Sequence, residues 1–564
     1  MTQPTSQSDI MQGKSDTEDG GTLASNIVLS RNQKILATAG VAMSLLLASL
    51  DQTVVGNSMP RIVAELQGLS YYAWVTTAYL LTSTIILPIA GKLGDMFGRK
   101  PFMLAGMVGF VASSALCGIS QNMAELVIFR GTQGLFGGML FASVFAVLAD
   151  IFPPDQRARM QGVFGGVFGL SAVIGPTIGG WLTDGPGWRW VFYVNVPVGV
   201  MAVVLVSLAL PAVRSRAQIR DIDWVGCVAL AAGLVPMLVA FSLTSDHKWT
   251  DPEVVGLLAV AAVVLVGFFL WERRVAQPII PFSLFTNNVF SVSVVIAFFS
   301  ALGMFGTILF VPLLYQGVLA VSASNSGVLL TPMFIGLIGF STLAGQLITR
   351  VRRYRFIGTA GVAIMIAGIL MLAQVGVGTA TWQVAAAIVI VGAGLGLTFP
   401  LTLVAVQSAL PRQFLGVASS QIQFWRNLGG TIGSAVLGSI LANRLPGAIS
   451  DQVAALHLPP AFKLPVGGGT TSPQQLFDPA NLAHLRASVP PQAVPLFDQV
   501  IHAIRAGLAS TMHELFLIAA AILVVSLVAT LFMREVPIRT AGRGAMAGEA
   551  PPVSEAMEPE TAPA

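Results

Sequence analysis

"SLLLASLDQTVVGNSMP", residues 44–60, sets one carboxylate into a stretch that otherwise reads as hydrocarbon. From Ile35 to Met59 the only formal charge is Asp51. About 20 mostly apolar residues span a bilayer core as a helix, so the run reads as a membrane span with an acid inside it. The whole chain has the same character: of 564 residues, 54% are hydrophobic and only 10% charged. So few charges cannot cover a soluble protein of this size. Fourteen runs of span length lie near 35–58, 72–92, 101–120, 123–150, 160–182, 189–210, 222–244, 253–271, 288–316, 325–349, 356–375, 382–410, 414–442 and 509–533. Gly and Pro inside them are tolerated in membrane bundles. The fold class is an all-α membrane protein.

Lysine and arginine set the orientation. With the N-terminus inside, 21 of the 30 basic residues fall in cytosolic segments, in clusters such as Lys92/Arg99/Lys100 and Arg350/Arg352/Arg353/Arg355. Only Arg61, Arg189 and Lys248 fall in the short outer loops, and four more lie in the long outer loop 443–508, which carries little orienting weight. Both termini are therefore expected in the cytosol, in a cell (inner or plasma) membrane. The polar stretches 1–33 and 534–564 are expected to be disordered tails. The first of them lacks the apolar core of a signal peptide.

Several chemistries are excluded. Cys117 and Cys227 are the only cysteines and lie in apolar runs, so no disulfide or metal framework is expected. The basic residues are strung between spans rather than gathered on one face, which argues against a nucleic-acid partner. No Gly-rich loop ending in Lys-Ser/Thr supports ATP use. His513-Glu514 lacks the second His of a zinc protease, because position 517 is Leu. No cofactor is expected.

"GKLGDMFGRK" (91–100) follows the second span and "GQLITRVRRYR" (345–355) follows the tenth, 254 residues apart. Two glycine-led basic loops at this spacing predict two related six-helix halves, 34–211 and 288–533, with two extra spans in the linker 212–287. Thr349 stands where a second Asp95 would be. Repeated halves with a site at their interface are the usual plan of secondary transporters. Gly91, Gly94 and Gly98 are expected to make a tight turn, from which Asp95 faces the positive N-terminus of the thirteenth helix.

The lone charges share a depth. Asp51 lies 17 residues past Lys34, about 25 Å up at 1.5 Å per residue. Arg130 lies 8 residues past Asn122 on a descending helix, roughly 12 Å below the outer surface. An acid and a base at similar depth in a membrane point to a functional pair, with a purely structural ion pair as the alternative. Arg426, 14 residues beyond Arg412, reaches about 21 Å up and has no acid in its own half's spans. Substrate, water or Asp51 is expected to satisfy it. Tyr79, Gln133, Tyr315, Gln316, Phe399, Gln421, Phe424, Trp425 and Asn427 are the candidate cavity lining, with "QFWRN" (423–427) the densest cluster. Residues 496–508 place Leu496, Phe497, Val500, Ile501, Ile504 and Leu508 on one helical face, an amphipathic outer extension that either guides lipid or rests at the interface.

The motifs arrive in an order that resembles one family. "LDQTVVGNSMPRI" (50–62), "GKLGDMFGRK", "RGTQG" (130–134), "GPTIGG" (175–180) and "RNLGGTIGSAVLG" (426–438) are similar to motifs of the major facilitator superfamily, in particular its fourteen-helix drug:proton antiporters. The resemblance covers about residues 34–533. It implies that Asp95, with Arg99 and Asp150, latches a cytosolic gate. It also implies that Gly175, Pro176, Gly179 and Gly180 form a bend between the halves characteristic of exporters. Two departures stand out: Met96 replaces a basic residue in the loop, and Phe136 replaces a glycine, which is expected to narrow the cavity wall.

The function implied is proton-coupled export of hydrophobic or amphiphilic small molecules by a monomer in the bilayer. Asp51 and Arg130 would couple protons in it. A lipid or glycolipid exporter of the same fold is the alternative, and a non-transporting sensor or scaffold is a third.

Overall fold

The computed structural model describes residues 30–68, 71–211, 218–244, 247–319, 321, 330–351, 353–456, 486–487 and 489–536. Most of both expected tails, and 457–485 of the long loop, lie outside the described residues. Fourteen described helices are long and apolar enough to cross a membrane. They are α1 (Arg31–Leu66), α2 (Tyr72–Phe97), α3 (Arg99–Ile119), α4 (Met123–Ile151) and α5 (Pro154–Asp184), with α6 (Trp190–Ala209). There follow α7 (Trp224–Leu243), α8 (Pro252–Glu272), α9 (Asn288–Leu313), α10 (Thr331–Val351), α11 (Tyr354–Ala373), α12 (Thr381–Ala409), α13 (Leu415–Ala454) and α14 (Val494–Phe532).

Local chemistry sets many of the ends. Ser30 and Gln33 form a reciprocal capping box at α1. Asn122, Asp223 and Asn287 accept backbone N–H groups at the starts of α4, α7 and α9. Lys100 Nζ donates to the terminal carbonyls of Ser207 and Leu210, closing α6 on the basic face. Gly98, at φ 95°, makes the turn between α2 and α3 that only glycine adopts easily. Gly91 and Gly94 are not part of that turn. Both lie inside α2.

The contacts repeat between halves. Within the first half α1 packs on α5 and α6, α2 on α4, and α3 on α4 and α6; within the second, α9 packs on α13 and α14, α10 on α12, and α11 on α12 and α14. Between halves, α2 meets α13 and α10 meets α5. Replacing each helix α1–α6 by its counterpart in α9–α14 maps this scheme onto itself, so the repeat is carried by packing more than by residue identity. The extra helices α7 and α8 pair with each other, and α7 also touches α2 and α13. One apolar cluster runs through all three parts, with Leu87 of α2, Leu230 and Leu234 of α7, and Phe424 and Leu428 of α13.

The outer extension differs from expectation. Phe497, Val500, Ile501, Ile504 and Leu508 are buried, and Leu445, Ile449 and Val453 of α13 pack against the same cluster. At Gly507 an added Cβ would stand 2.9 Å from the Ala448 carbonyl oxygen, so the two helices run in close contact. The 40 residues of α13 measure about 60 Å, roughly twice the apolar core of a bilayer. The amphipathic face therefore covers a partner helix in a projecting α13–α14 hairpin, and does not lie on lipid.

Candidate functional site

Four helices converge on Asp51. Its Oδ2 accepts from Arg130 Nη1 of α4 at 2.6 Å. Its Oδ1 accepts from Gln133 Nε2 of α4 at 2.8 Å and from Asn195 Nδ2 of α6 at 2.9 Å. Asn195 also donates to Ser114 Oγ of α3, and Arg130 Nη1 donates to Gln133 Oε1. The Arg130 guanidinium carbon lies 4.4 Å from the Tyr79 ring centroid. All of these side chains are buried, Asp51 being 1% exposed and Arg130 2%. Removing either ion would strand the other, at about 3–5 kcal/mol. An ionised carboxylate only accepts hydrogen bonds, whereas a protonated one must also donate. Protonation of Asp51 therefore breaks at least part of a network that ties four helices together.

A second cluster closes the seam between halves on the face that holds the basic loops. Asp95 Oδ2 accepts from Val417 N at 2.8 Å, inside the first turn of α13. The anion thus sits on a helix N-terminus, where the macrodipole favours it. Arg99 pairs with Asp95 at 2.7 Å and also with Asp150. A Cβ on Gly91 would stand 2.6 Å from Ser420 Cβ and 3.0 Å from the Gly416 carbonyl oxygen. Its counterpart Gly345 approaches the Ala158 carbonyl oxygen of α5, at 2.5 Å from such a Cβ. Thr349, in the position of Asp95, hydrogen-bonds within its own turn, to Gln346 O. Beside these contacts Gln407 of α12 bonds to Gln161 of α5 at 2.8 Å, to Ser419 Oγ, and to the Phe145 carbonyl. Arg157 Nη1 donates to the Gln407 carbonyl at 3.2 Å.

Deeper in the seam, Phe399 of α12 stacks on Phe168 of α5 at 6.3 Å and 22°, and is tilted to Phe145 of α4 at 6.3 Å. The Arg426 guanidinium carbon lies 4.1 Å from the Phe399 ring centroid. Arg426 donates to Gln423 Oε1 and to Thr402 Oγ1. Among the described residues no carboxylate comes within ion-pair distance of it. Asp51 is not its counter-ion, being bonded to Arg130 instead.

The remaining candidates divide. Tyr79 and Gln133 belong to the sealed shell around Arg130, and not to an open cavity wall. Tyr315 is buried in the apolar core of the second half, and Phe424 in the cluster shared with α7. A helix that places Arg426 at the seam turns its neighbours away from it. Trp425 packs on Phe298 and Phe424, its buried Nε1 without a partner among the described residues. Gln421 is wholly buried, and neither of its amide atoms has a hydrogen-bond partner among the described residues. Gln316 and Asn427 are half-buried. Phe136 lies with its ring directly against Gly109 of α3, where no Cβ would fit, so it does not narrow the seam. Gly175 and Gly179 pack on Thr53 and Val54 of α1, within their own half. The contact of α5 with the other half is made nearer its start, by Gly162 against Ser341. Gly180 has open space beside it.

Asn195, Ser114, Gln161, Gln407 and Ser420 are the participants that sequence reasoning passed over. Asn195 had a signal: it is the lone amide in its apolar span, as Asp51 is the lone charge in its own. Among the described residues no cluster of metal-ligating side chains occurs.

The Major Facilitator Superfamily profile matches residues 41–434. Multidrug transporter protein MdtP of Bacillus subtilis is 38% identical over 519 residues, covering 90% of this chain and 94% of that protein. The tetracenomycin C resistance and export protein of Streptomyces glaucescens is 30% identical over 529 residues, covering 89% and 94%. Among solved structures, the human organic anion transporter MFSD10 (TETRAN) superimposes with a TM-score of 0.55 at 13% identity. That match covers 87% of this chain and 99% of the other, and shows a common fold.

Proposed function

The chain belongs to the Major Facilitator Superfamily, a family of transporters rather than enzymes, and we propose that it is a proton-coupled exporter of hydrophobic or amphiphilic small molecules. The activities for which its relatives are named, multidrug transport and tetracenomycin C resistance and export, support export of drug-like compounds. The basic face is the cytosolic one by the positive-inside rule, so the seam is closed toward the cytosol in this conformation. The protein acts as a monomer in the cell membrane, with the proton gradient as its energy source and no cofactor.

The observation that carries the coupling is the buried Asp51–Arg130 pair and its amide shell. Asp51 takes up an external proton and stops holding Arg130 and Asn195 as an anion does. The joints among α1, α3, α4 and α6 loosen, and the first half reorients about the seam. Opening the Asp95 and Gln407 contacts then exposes the cavity to the cytosol, where the proton leaves and substrate enters. One charge moved through 100 mV supplies about 2.3 kcal/mol, enough for roughly a 50-fold substrate gradient.

The test is efflux from proteoliposomes with and without an imposed pH gradient. Asp51→Asn is expected to abolish gradient-driven efflux while substrate binding and downhill exchange partly survive. Full gradient-driven efflux by Asp51→Asn would overturn the coupling role.

A further inference from the structure

The two membrane-embedded arginines differ in one respect. Arg130 has its counter-ion in Asp51 and is sealed beneath Tyr79. Arg426 is 9% exposed, has no carboxylate within reach among the described residues, and rests on two neutral oxygens. Those acceptors engage one N–H on each of Nη1 and Nη2, which leaves three of the five guanidinium donors for a ligand. Buried charges are normally paired, so a guanidinium resting on two neutral oxygens is built for an anionic occupant.

The neighbouring surface defines the rest of that occupant. Phe399 lies under the guanidinium and is stacked on Phe168 of the opposite half, with Phe145 adjoining. An unpaired cation beside aromatic faces at the seam suits a flat apolar molecule with one acidic group. The same cation repels positively charged compounds.

We infer that Arg426 is the docking point for an acidic group, carboxylate or ionised phenol, on an aromatic substrate whose ring system lies against Phe399 and Phe168. The inference rests on reading the seam as the substrate path. A carboxylate would meet the guanidinium through paired charge-assisted hydrogen bonds. It would supply the charge that no described side chain supplies, and the binding helices of the two halves would close on one ligand.

Pyrenebutyrate and pyrenebutyramide, alike in shape and different in charge, are suitable probes. Their binding to the purified protein in detergent is read from tryptophan-to-pyrene energy transfer, with no gradient present. The acid is expected to bind about tenfold or more tighter than the amide, as a hydrogen bond to a charged group implies. Arg426→Met is expected to erase that preference while amide binding persists, and Arg426→Lys to reduce it. Equal binding of acid and amide by the unaltered protein overturns the inference, even if the variants fail to fold. So does an acid preference that survives in Arg426→Met. An intact acid preference alongside gradient-independent transport would instead refute the proton coupling alone.

Discussion

Adding one methyl group at Gly91 should open the protein on its basic face. The Cβ of Gly91→Ala would stand 2.6 Å from Ser420 Cβ and 3.0 Å from the Gly416 carbonyl oxygen. Ordinary contact between such atoms needs roughly 3.5–4.0 Å, so α2 and α13 must part by about an ångström. The nearest atom, Ser420 Oγ, can rotate aside, but Ser420 Cβ and the Gly416 backbone cannot. Overpacking of this kind costs about 1–3 kcal/mol. In the proposed transport cycle only the closed seam carries the cost, because α2 and α13 would separate in the open state. At about 1.4 kcal/mol per tenfold, the closed population should fall roughly 5- to 150-fold relative to the open one. Electron–electron distance measurements between spin labels at the exposed positions Arg159 and Arg353 would read this directly, with Cys117 and Cys227 replaced by serine. The unaltered seam should give a dominant short distance, and Gly91→Ala a dominant long one. Ser420→Gly removes the nearer obstacle, so Gly91→Ala/Ser420→Gly should recover most of the short component, a coupling that independent sites do not show. An unchanged distance distribution in Gly91→Ala refutes the argument that this close approach holds the seam.

Asp95→Asn should leave the protein inserted and folded but slow its turnover and partly open the same seam. The amide oxygen still accepts from Val417 N, while the ion pair with Arg99 and the charge on the α13 N-terminus are lost, about 1–2 kcal/mol together. Wild-type turnover with an unchanged label distance would count against the latch. On the opposite face, hydrogen bonds from Arg189 and Trp188 hold the Glu65 carboxyl below the usual carboxylate range. A lowered folded pKa means that its contribution is present above the ordinary carboxylate value and is lost as pH falls through the lowered one. Thermal unfolding followed between about pH 7 and pH 3 should therefore show a small acid-side loss that Glu65→Gln removes. The loss is small because the pair is exposed to solvent. An identical pH profile in Glu65→Gln would show that the contact contributes nothing.

The amino-acid sequence alone determined the solvent, the number of spans and the face on which the basic loops gather. Hydrocarbon thickness fixes the first two through local composition, and translocation acts on local charge. It also marked Asp51, Arg130 and Arg426, because an unpaired charge within an apolar run is costly. The contact of Asp95 with the α13 N-terminus and the turn at Gly98 were legible as well, because helix ends and tight turns need particular residues at particular positions. Tertiary structure decided which lone charges meet. Depth along a helix says nothing about rotation or about which helix lies opposite, so Arg130 found Asp51 while Arg426 found only neutral oxygens. It decided that Gly91 is a contact surface for α13 and not part of a turn, and that Gly175 and Gly179 pack on α1 within their own half. It sent Tyr315 and Phe424 into apolar cores, and paired the amphipathic end of α14 with α13 rather than with lipid. In each case the sequence lists what a side chain can bond or bury. Only the packing of helices far apart in the chain supplies the partner.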